Sequence, residues 1–139
     1  MGISDSYRDM IVNEVNFCIE QMEKRNDFRD KLYYFSGIQG LLQRIFNLEY
    51  DSDLVFAFFI FKSTHEAFMN RYSAIQKGGD TVVLLFQEQF DELIEGAKEF
   101  ADKIKNKKDF NNTLKKFVVL SYSTTGNGYY LMQKGLLKV

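Results

Sequence analysis

The chain has 139 residues, of which 45% are hydrophobic and 27% charged, as is typical of a single globular domain. Its 18 basic and 19 acidic residues give a net charge of -1. This balance gives no overall attraction to nucleic acid or to an anionic membrane. Because of its length, we treat residues 1–139 as one domain. Because of its balanced charge, we expect no nucleic-acid partner.

Cys18 is the only cysteine, so the chain can form neither an internal disulfide nor a zinc site built from several cysteines. The first eight residues lack the apolar stretch of a secretory signal. We expect a cytoplasmic protein without a cofactor. Proline is absent, which is compatible with long helices and short connections.

Apolar residues at helical spacing predict the first two helices. The first helix follows the candidate N-caps Ser4 and Asp5, and the second follows Asp27 and ends near Leu48. The apolar stripes are Tyr7, Ile11, Val15, Cys18 and Met22 in the first helix, and Phe28, Leu32, Phe35, Ile38, Leu42 and Ile45 in the second.

The run Leu54–Phe61 contains eight consecutive apolar residues. It is too short to span a bilayer, which needs about 20 residues. Its helical spacing continues through His65, Phe68, Tyr72 and Ile75, which predicts a third helix. This helix is expected to end at the glycines 78 and 79.

A fourth helix is predicted from Val82 to Ile104. Acidic residues occupy the side opposite its apolar stripe: Glu88, Glu92, Glu95, Glu99 and Asp102. We interpret them as a solvated face that pairs with lysines of the same helix, rather than as catalytic carboxylates.

The C-terminal segment has two interpretations. Residues 117–123 and 129–133 can be two strands joined by a turn, which would make a β-hairpin. Alternatively, a cap at Asn112 begins a fifth helix that is interrupted around Gly126 and Gly128. We favour the helix because an isolated hairpin is marginally stable.

Short connections favour antiparallel packing of consecutive helices. The predicted fold is therefore all-α, an antiparallel up-and-down bundle of four long helices plus the C-terminal segment. No sequence motif identifies a family, and a bundle layout alone does not indicate a function.

His65 is the only histidine and lies on the buried stripe of the third helix. One histidine and one cysteine are too few for a typical zinc site, and no metal site is predicted. A ferritin-like di-iron site is also excluded, because the residue three positions before His65 is Lys62 rather than glutamate. We find no catalytic motif, so an enzyme is not the favoured interpretation.

Two features favour association. Side chains of the run 54–61 point in every direction around the third helix, including Phe56, so this helix needs cover on all sides. On the second helix, Gly37 and Gly40 form a notch with Tyr33 and Arg44, where another backbone can approach closely. We predict a homo-oligomer, with a dimer as the first expectation, or binding to another protein.

Two alternatives remain open. In the first, a small-molecule or catalytic cavity is lined by His65, Tyr72 and Cys18. In the second and weaker one, the lysines between Lys103 and Lys116 bind an anionic polymer or a membrane surface. This basic patch lacks the interleaved aromatic residues that would stack on bases.

Overall fold

The structure, a computed structural model, describes residues 2–77 and 81–125. Within these ranges it contains five helices and no strand. The helices are α1 (Asp5–Lys24), α2 (Phe28–Leu48), α3 (Ser52–Lys77), α4 (Thr81–Lys105) and α5 (Asn111–Thr125). The prediction of an all-α helical bundle is confirmed.

The first three helices begin where a side-chain oxygen can accept a hydrogen bond from the first turn. The oxygens of Ser4, Asp27 and Asp51 accept from the backbone N–H groups of Tyr7, Arg29 and Leu54 at 3.4, 2.9 and 3.0 Å. Asp51 also accepts from the backbone N–H of Gly2 at 2.9 Å, which ties the N-terminal residues to the start of α3.

The helices pack as a closed ring in the order α1, α2, α3, α5, α4. Along α1 and α2 the contacts Met22–Lys31 and Glu14–Arg44 run in opposite directions, as expected of antiparallel neighbours. Along α3 and α5, the side-chain hydrogen bond between Thr64 and Ser121 follows the contact between Phe61 and Phe117 in the same direction. Helix α5 lies between α3 and α4 because it contacts both of them. For the other consecutive helices, the antiparallel arrangement stays a prediction.

Phenylalanine supplies the largest side chains of the core, among a greater number of aliphatic residues. Seven rings are fully buried: Phe35, Phe61, Phe68, Phe86, Phe90, Phe100 and Phe117. Phe61 is central, because its ring centroid lies 5.0 Å from that of Phe100 on α4 and 4.7 Å from that of Phe117 on α5. Full burial of each such ring contributes about 1.5–3 kcal/mol relative to exposure, so these contacts hold the helices together.

The connection from α4 to α5 is a tight turn without glycine. The backbone N–H of Lys108 donates to the carbonyl of Lys103 at 2.8 Å, and that of Lys107 donates to Ile104 at 3.2 Å. This pattern places Lys107 in the left-handed region, with φ of 57°. Asp109 then accepts from the backbone N–H of Asn111 at 2.7 Å, so α5 begins one residue before the predicted cap Asn112.

Helix α5 includes residues 117–123, which the hairpin alternative assigned to its first strand. That alternative is wrong for this stretch. The second strand and the predicted glycine cap at residues 78 and 79 lie outside the described residues. In the described part of the chain, no helix has the length and apolar content needed to cross a membrane.

Candidate functional site

The outer surface of α1 and α2 holds four of the five predicted interface residues. Tyr33 is 71% exposed, Gly37 and Arg44 are also exposed, and Gly40 is half-buried. A Cβ atom on Gly37 would lie only 3.2 Å from Sγ of Cys18 in α1. The predicted notch thus lies at the seam between α1 and α2, where Gly37 already allows close approach of α1.

An aromatic group lies beside this notch. The ring of Tyr34 packs edge-on against Phe17, with centroids 6.4 Å apart, and against Tyr33 at 5.2 Å. The guanidinium carbon of Arg25 lies 5.2 Å from the Tyr34 centroid, and the same side chain donates to the Tyr34 hydroxyl at 3.2 Å. We call Phe17, Arg25, Tyr33 and Tyr34 the aromatic face.

Sequence reasoning identified only Tyr33 of this face. Phe17 is 55% exposed because it lies next to Cys18 but off the buried stripe of α1. A large aromatic residue on the polar side of an amphipathic helix was a signal that could have been used. What could not be read from sequence is that Phe17 and Tyr34, on different helices, meet at the surface.

Arg44 and Glu14 form an ion pair across the seam, with Nη2 of Arg44 at 3.1 Å from Oε2 of Glu14. Both side chains are largely exposed, so the pair contributes about 0–1 kcal/mol to stability. A Cβ atom on Gly40 would meet only the end of Arg44, at 3.8 Å. The predicted residues Gly40 and Arg44 therefore adjoin each other at the surface.

Cys18 is buried in the same seam. Burial, helped by the carboxylate of Glu14 and opposed by Arg44, raises the pKa of its thiol from 9.0 to about 11. A thiol with this pKa stays protonated at neutral pH. Since the thiolate is the nucleophile and the metal ligand, Cys18 is suited to packing rather than to chemistry.

His65 lies half-buried at the seam between α2 and α3. Its ring stacks on Phe35, with centroids 6.4 Å apart and an interplanar angle of 17°, and the backbone carbonyl of Leu32 lies near the imidazole. Burial lowers the pKa of His65, while the Leu32 carbonyl and the Glu66 carboxylate act to raise it. The neutral imidazole is the favoured form in this position.

The three predicted cavity residues have different surroundings. Cys18 faces Gly37, His65 packs on Phe35, and the hydroxyl of Tyr72 accepts from the side-chain amide of Gln76 at 2.8 Å. Binding of a ligand by this set stays a prediction. Among residues 2–77 and 81–125, no three His, Cys, Asp or Glu side chains are grouped to hold a metal ion.

Phe56, the fifth predicted interface residue, belongs to another surface. It is 51% exposed and lines a cavity of about 270 Å³ that also includes Arg8 and the turn residue Lys107. Arg8 is buried there and donates to the carbonyl of Ile104 at 3.1 Å. This bond gives a backbone carbonyl at the C-terminal end of α4 a side-chain donor. The structure therefore divides the predicted interface residues between two regions.

A groove between α4 and α5 was not anticipated from sequence. Its volume is about 1070 Å³, and its walls run from Asp91 to Lys103 on α4 and from Asn112 to Ser123 on α5. Gly96 lies on its α4 wall, where a Cβ atom would come within 2.9 Å of the Phe117 ring. Periodicity alone cannot reveal this groove, because it depends on how α5 is placed against α4.

The predicted charges of this region have partners on both helices. Glu95 pairs with Lys98 at 3.5 Å, as the spacing on α4 predicted. Glu99 pairs with Lys116 of α5 at 2.8 Å, and in the basic patch Lys107 also pairs with Asp5 at 3.4 Å. Binding of an anionic polymer or membrane by this patch stays a prediction.

The outer surface thus offers an aromatic face on α1 and α2 and a charged groove between α4 and α5. Comparison of the chain with models of protein families, with curated proteins and with solved structures finds no match.

Proposed function

We propose that the protein is a non-catalytic helical bundle that acts by self-association, as a homodimer joined through its aromatic face. The observation that carries this proposal is the exposure of Phe17 and Tyr33, at 55% and 71%, on either side of Tyr34. Such a group offers a large rigid contact area at the protein surface.

The residue types of the face support the proposal. Tyrosine, phenylalanine and arginine are enriched in protein interfaces, and tyrosine and arginine carry much of the binding energy where they are buried together. In a two-fold dimer, the same surface serves both copies, so a single aromatic face is sufficient. The Tyr34 rings would then be enclosed by Phe17 and Tyr33 of both chains.

The rest of the seam suits a second copy. Gly37 is exposed beside the face, so a second copy can contact the α2 backbone there, while the space that a Cβ atom would fill faces the Cys18 thiol of α1. Glu14 and Arg44 place one negative and one positive charge at the edge of the face. In a two-fold dimer, Glu14 of one copy can lie next to Arg44 of the other. We propose that the association takes place in the cytoplasm, because the lone Cys18 gives no disulfide framework.

The test is light scattering coupled to size-exclusion chromatography at about 50 µM, a concentration at which a micromolar dimer is populated. We expect the wild-type chain to have twice the monomer mass and the Tyr33→Glu variant to be a monomer. The matched control is Tyr50→Glu, since Tyr50 is 77% exposed but lies in the connection between α2 and α3. This control should remain dimeric.

A monomeric wild-type chain at this concentration would refute the proposal. Equal loss of the dimer in Tyr33→Glu and Tyr50→Glu would refute the assignment to the aromatic face. Native mass spectrometry of the same sample addresses the ligand-binding alternative. A retained small molecule that is lost from His65→Leu would favour a cavity around His65 instead.

A further inference from the structure

The groove between α4 and α5 has the dimensions of a site for an extended occupant. Its α4 wall runs from Asp91 to Lys103, which at ~1.5 Å per residue corresponds to ~18 Å of helix. The α5 wall, from Asn112 to Ser123, is of similar length. The volume of about 1070 Å³ is at the upper end for small-molecule sites, and the groove is open to solvent.

Opposite charges line the two walls. The α4 wall begins with the carboxylates Asp91, Glu92, Glu95 and Glu99, and Lys103 follows at its end. The α5 wall carries Lys115 and Lys116 and no acidic residue. The pair between Glu99 and Lys116 joins the walls at 2.8 Å, whereas Glu92 and Lys115 have no ion-pair partner among the described residues. Both walls therefore have charge available for a partner.

The residues between the charged walls are apolar. Gly96, Phe117 and Leu120 are buried at the base of the groove, and Val119 is 43% exposed on its α5 side. An occupant would meet Val119 and the aliphatic parts of the lysine and glutamate side chains along its centre, acidic groups along one edge and lysines along the other. An amphipathic helix lying in a groove is a common way of meeting such a surface.

We propose that this groove binds an amphipathic helix of a partner protein, about three turns long, with lysine or arginine along one edge and glutamate or aspartate along the other. Its basic edge lies along the carboxylates of α4 and its acidic edge along Lys115 and Lys116. The segregation of charge on the two walls selects the partner and sets the direction of its helix.

The groove does not overlap the aromatic face. The face is formed by residues of α1, α2 and the connection between them, and the groove by residues of α4 and α5. A homodimer joined through the aromatic face therefore leaves the groove accessible in each copy. Binding of a helix in the groove does not require the protein to be a dimer.

The test uses a designed helical peptide of about 14 residues, long enough for three turns, with leucines on one face, lysines along one edge and glutamates along the other. One tryptophan on the leucine face reports binding, because the chain itself has no tryptophan. The matched control peptide has the same composition and leucine face, but mixes lysine and glutamate along both edges. Fluorescence titration against the full chain measures both affinities.

We expect the peptide with segregated edges to bind about tenfold more tightly than the mixed peptide, because only the former matches both walls. Its affinity should fall as salt is raised from about 50 to about 300 mM, since exposed charges are screened. Equal affinity of the two peptides, or no binding of either, would overturn the proposal.

Charge-reversal variants locate the site. Glu92→Lys and Lys115→Glu should each weaken binding of the segregated peptide about fivefold, as one opposed charge is lost and one repulsion gained. The matched controls are Glu88→Lys and Lys105→Glu, two exposed positions of α4 that do not line the groove. Binding by these controls should stay within about twofold of wild type.

Circular dichroism confirms that each variant is folded, and the two groove variants act on different helices, so either one can carry the test. An equal loss of binding in the control variants would overturn the location. Conversion of a wild-type dimer to a monomer by Glu92→Lys or Lys115→Glu would also overturn the proposal, since the groove would then hold a second copy of the chain.

Discussion

The seams α1–α2 and α4–α5 each place a glycine against a side chain of the neighbouring helix, with different results. A Cβ atom on Gly37 would lie 3.2 Å from the Cys18 thiol, and one on Gly96 would lie 2.9 Å from the Phe117 ring. The thiol is small, and the α1–α2 seam is bridged at its rim by Glu14 and Arg44. Phe117 has a large ring that is buried at the base of the α4–α5 groove. In both seams, the need for glycine comes from the side chain that the neighbouring helix places against it.

The largest effect on stability should come from removing the Phe117 ring. Phe117→Ala deletes a fully buried ring that contacts Phe61 at 4.7 Å and Phe35 at 6.2 Å between ring centroids. We expect the free energy of unfolding to fall by about 3–5 kcal/mol because a cavity remains in the core. Urea denaturation followed by circular dichroism measures this change.

The control for this prediction is Val119→Ala, two residues further along α5. Val119 is 43% exposed, so its truncation should cost less than about 1 kcal/mol. If both substitutions had similar effects, Phe117 would not be the residue that holds α5 against α4.

The second prediction concerns the thiol of the α1–α2 seam. Burial raises the pKa of Cys18 from 9.0 to about 11, so between these pH values the folded thiol keeps its proton while the unfolded thiol releases it. The resulting stability is fully present below pH 9 and is lost as pH rises through about 11. The loss is up to about 3 kcal/mol, at about 1.4 kcal/mol per pH unit.

Other groups titrate in this range, so the measured quantity is the difference in unfolding free energy between wild type and Cys18→Ala at several pH values. We expect the advantage of wild type to shrink from pH 9 to pH 11. A difference that is constant over this range would show that the Cys18 thiol ionises equally easily in the folded and unfolded states.

The third prediction compares the glycines directly, beginning with Gly96→Ala. The new methyl group would meet the Phe117 ring at 2.9 Å, and this ring is held by other core rings and cannot easily move. Overpacking of this kind costs about 1–3 kcal/mol, which exceeds the gain of about 1 kcal/mol from higher helix propensity. We expect net destabilisation in urea.

Adding Phe117→Leu provides the check, because a smaller side chain leaves room for the methyl group. The cost of Gly96→Ala should then decrease, giving a coupling energy between the two positions. Additive effects of the two substitutions would contradict the close approach of Gly96 and Phe117.

The smallest effect should have the opposite sign. Gly40→Ala places its methyl group 3.8 Å from the end of the flexible Arg44 side chain, which is an ordinary contact. Alanine reduces the conformational freedom of the unfolded chain, so we expect stabilisation by about 0.5–1 kcal/mol. Gly37→Ala is the comparison, and it should stabilise less because the Cys18 thiol must shift. Thermal unfolding distinguishes them, and equal gains would remove the distinction between these positions.

Sequence reasoning was sufficient for the elements of the fold. The stripes around Ile11, Phe35 and Phe61 predicted helices, and these residues are fully buried in the structure. Of the two candidate caps Ser4 and Asp5, Ser4 is the one that caps α1, and the sequence could name this pair because capping depends on neighbours within a few residues. The hairpin alternative failed at residues 117–123, since β-branched residues there fit a helix once α5 packs against α3 and α4.

Candidate sites were harder to predict because they combine distant segments. Tyr33 was identified by its position on α2, but Phe17 and Tyr34 join it only through the packing of α1 on α2. Similarly, the acidic side of α4 was expected to face solvent, whereas Glu99 pairs with Lys116 of α5 across the groove. A side chain's partner on another helix has no periodic signature.

By itself, the sequence determined that this chain forms amphipathic helices, because helix hydrogen bonds and apolar periodicity are local properties of neighbouring residues. Only the tertiary structure decided that α5 lies between α3 and α4, that Gly96 receives the Phe117 ring and that a charged groove opens beside it. These features depend on the order of helices around the ring. That order is set by which side chains fill the shared core, a property of the whole chain rather than of any one segment.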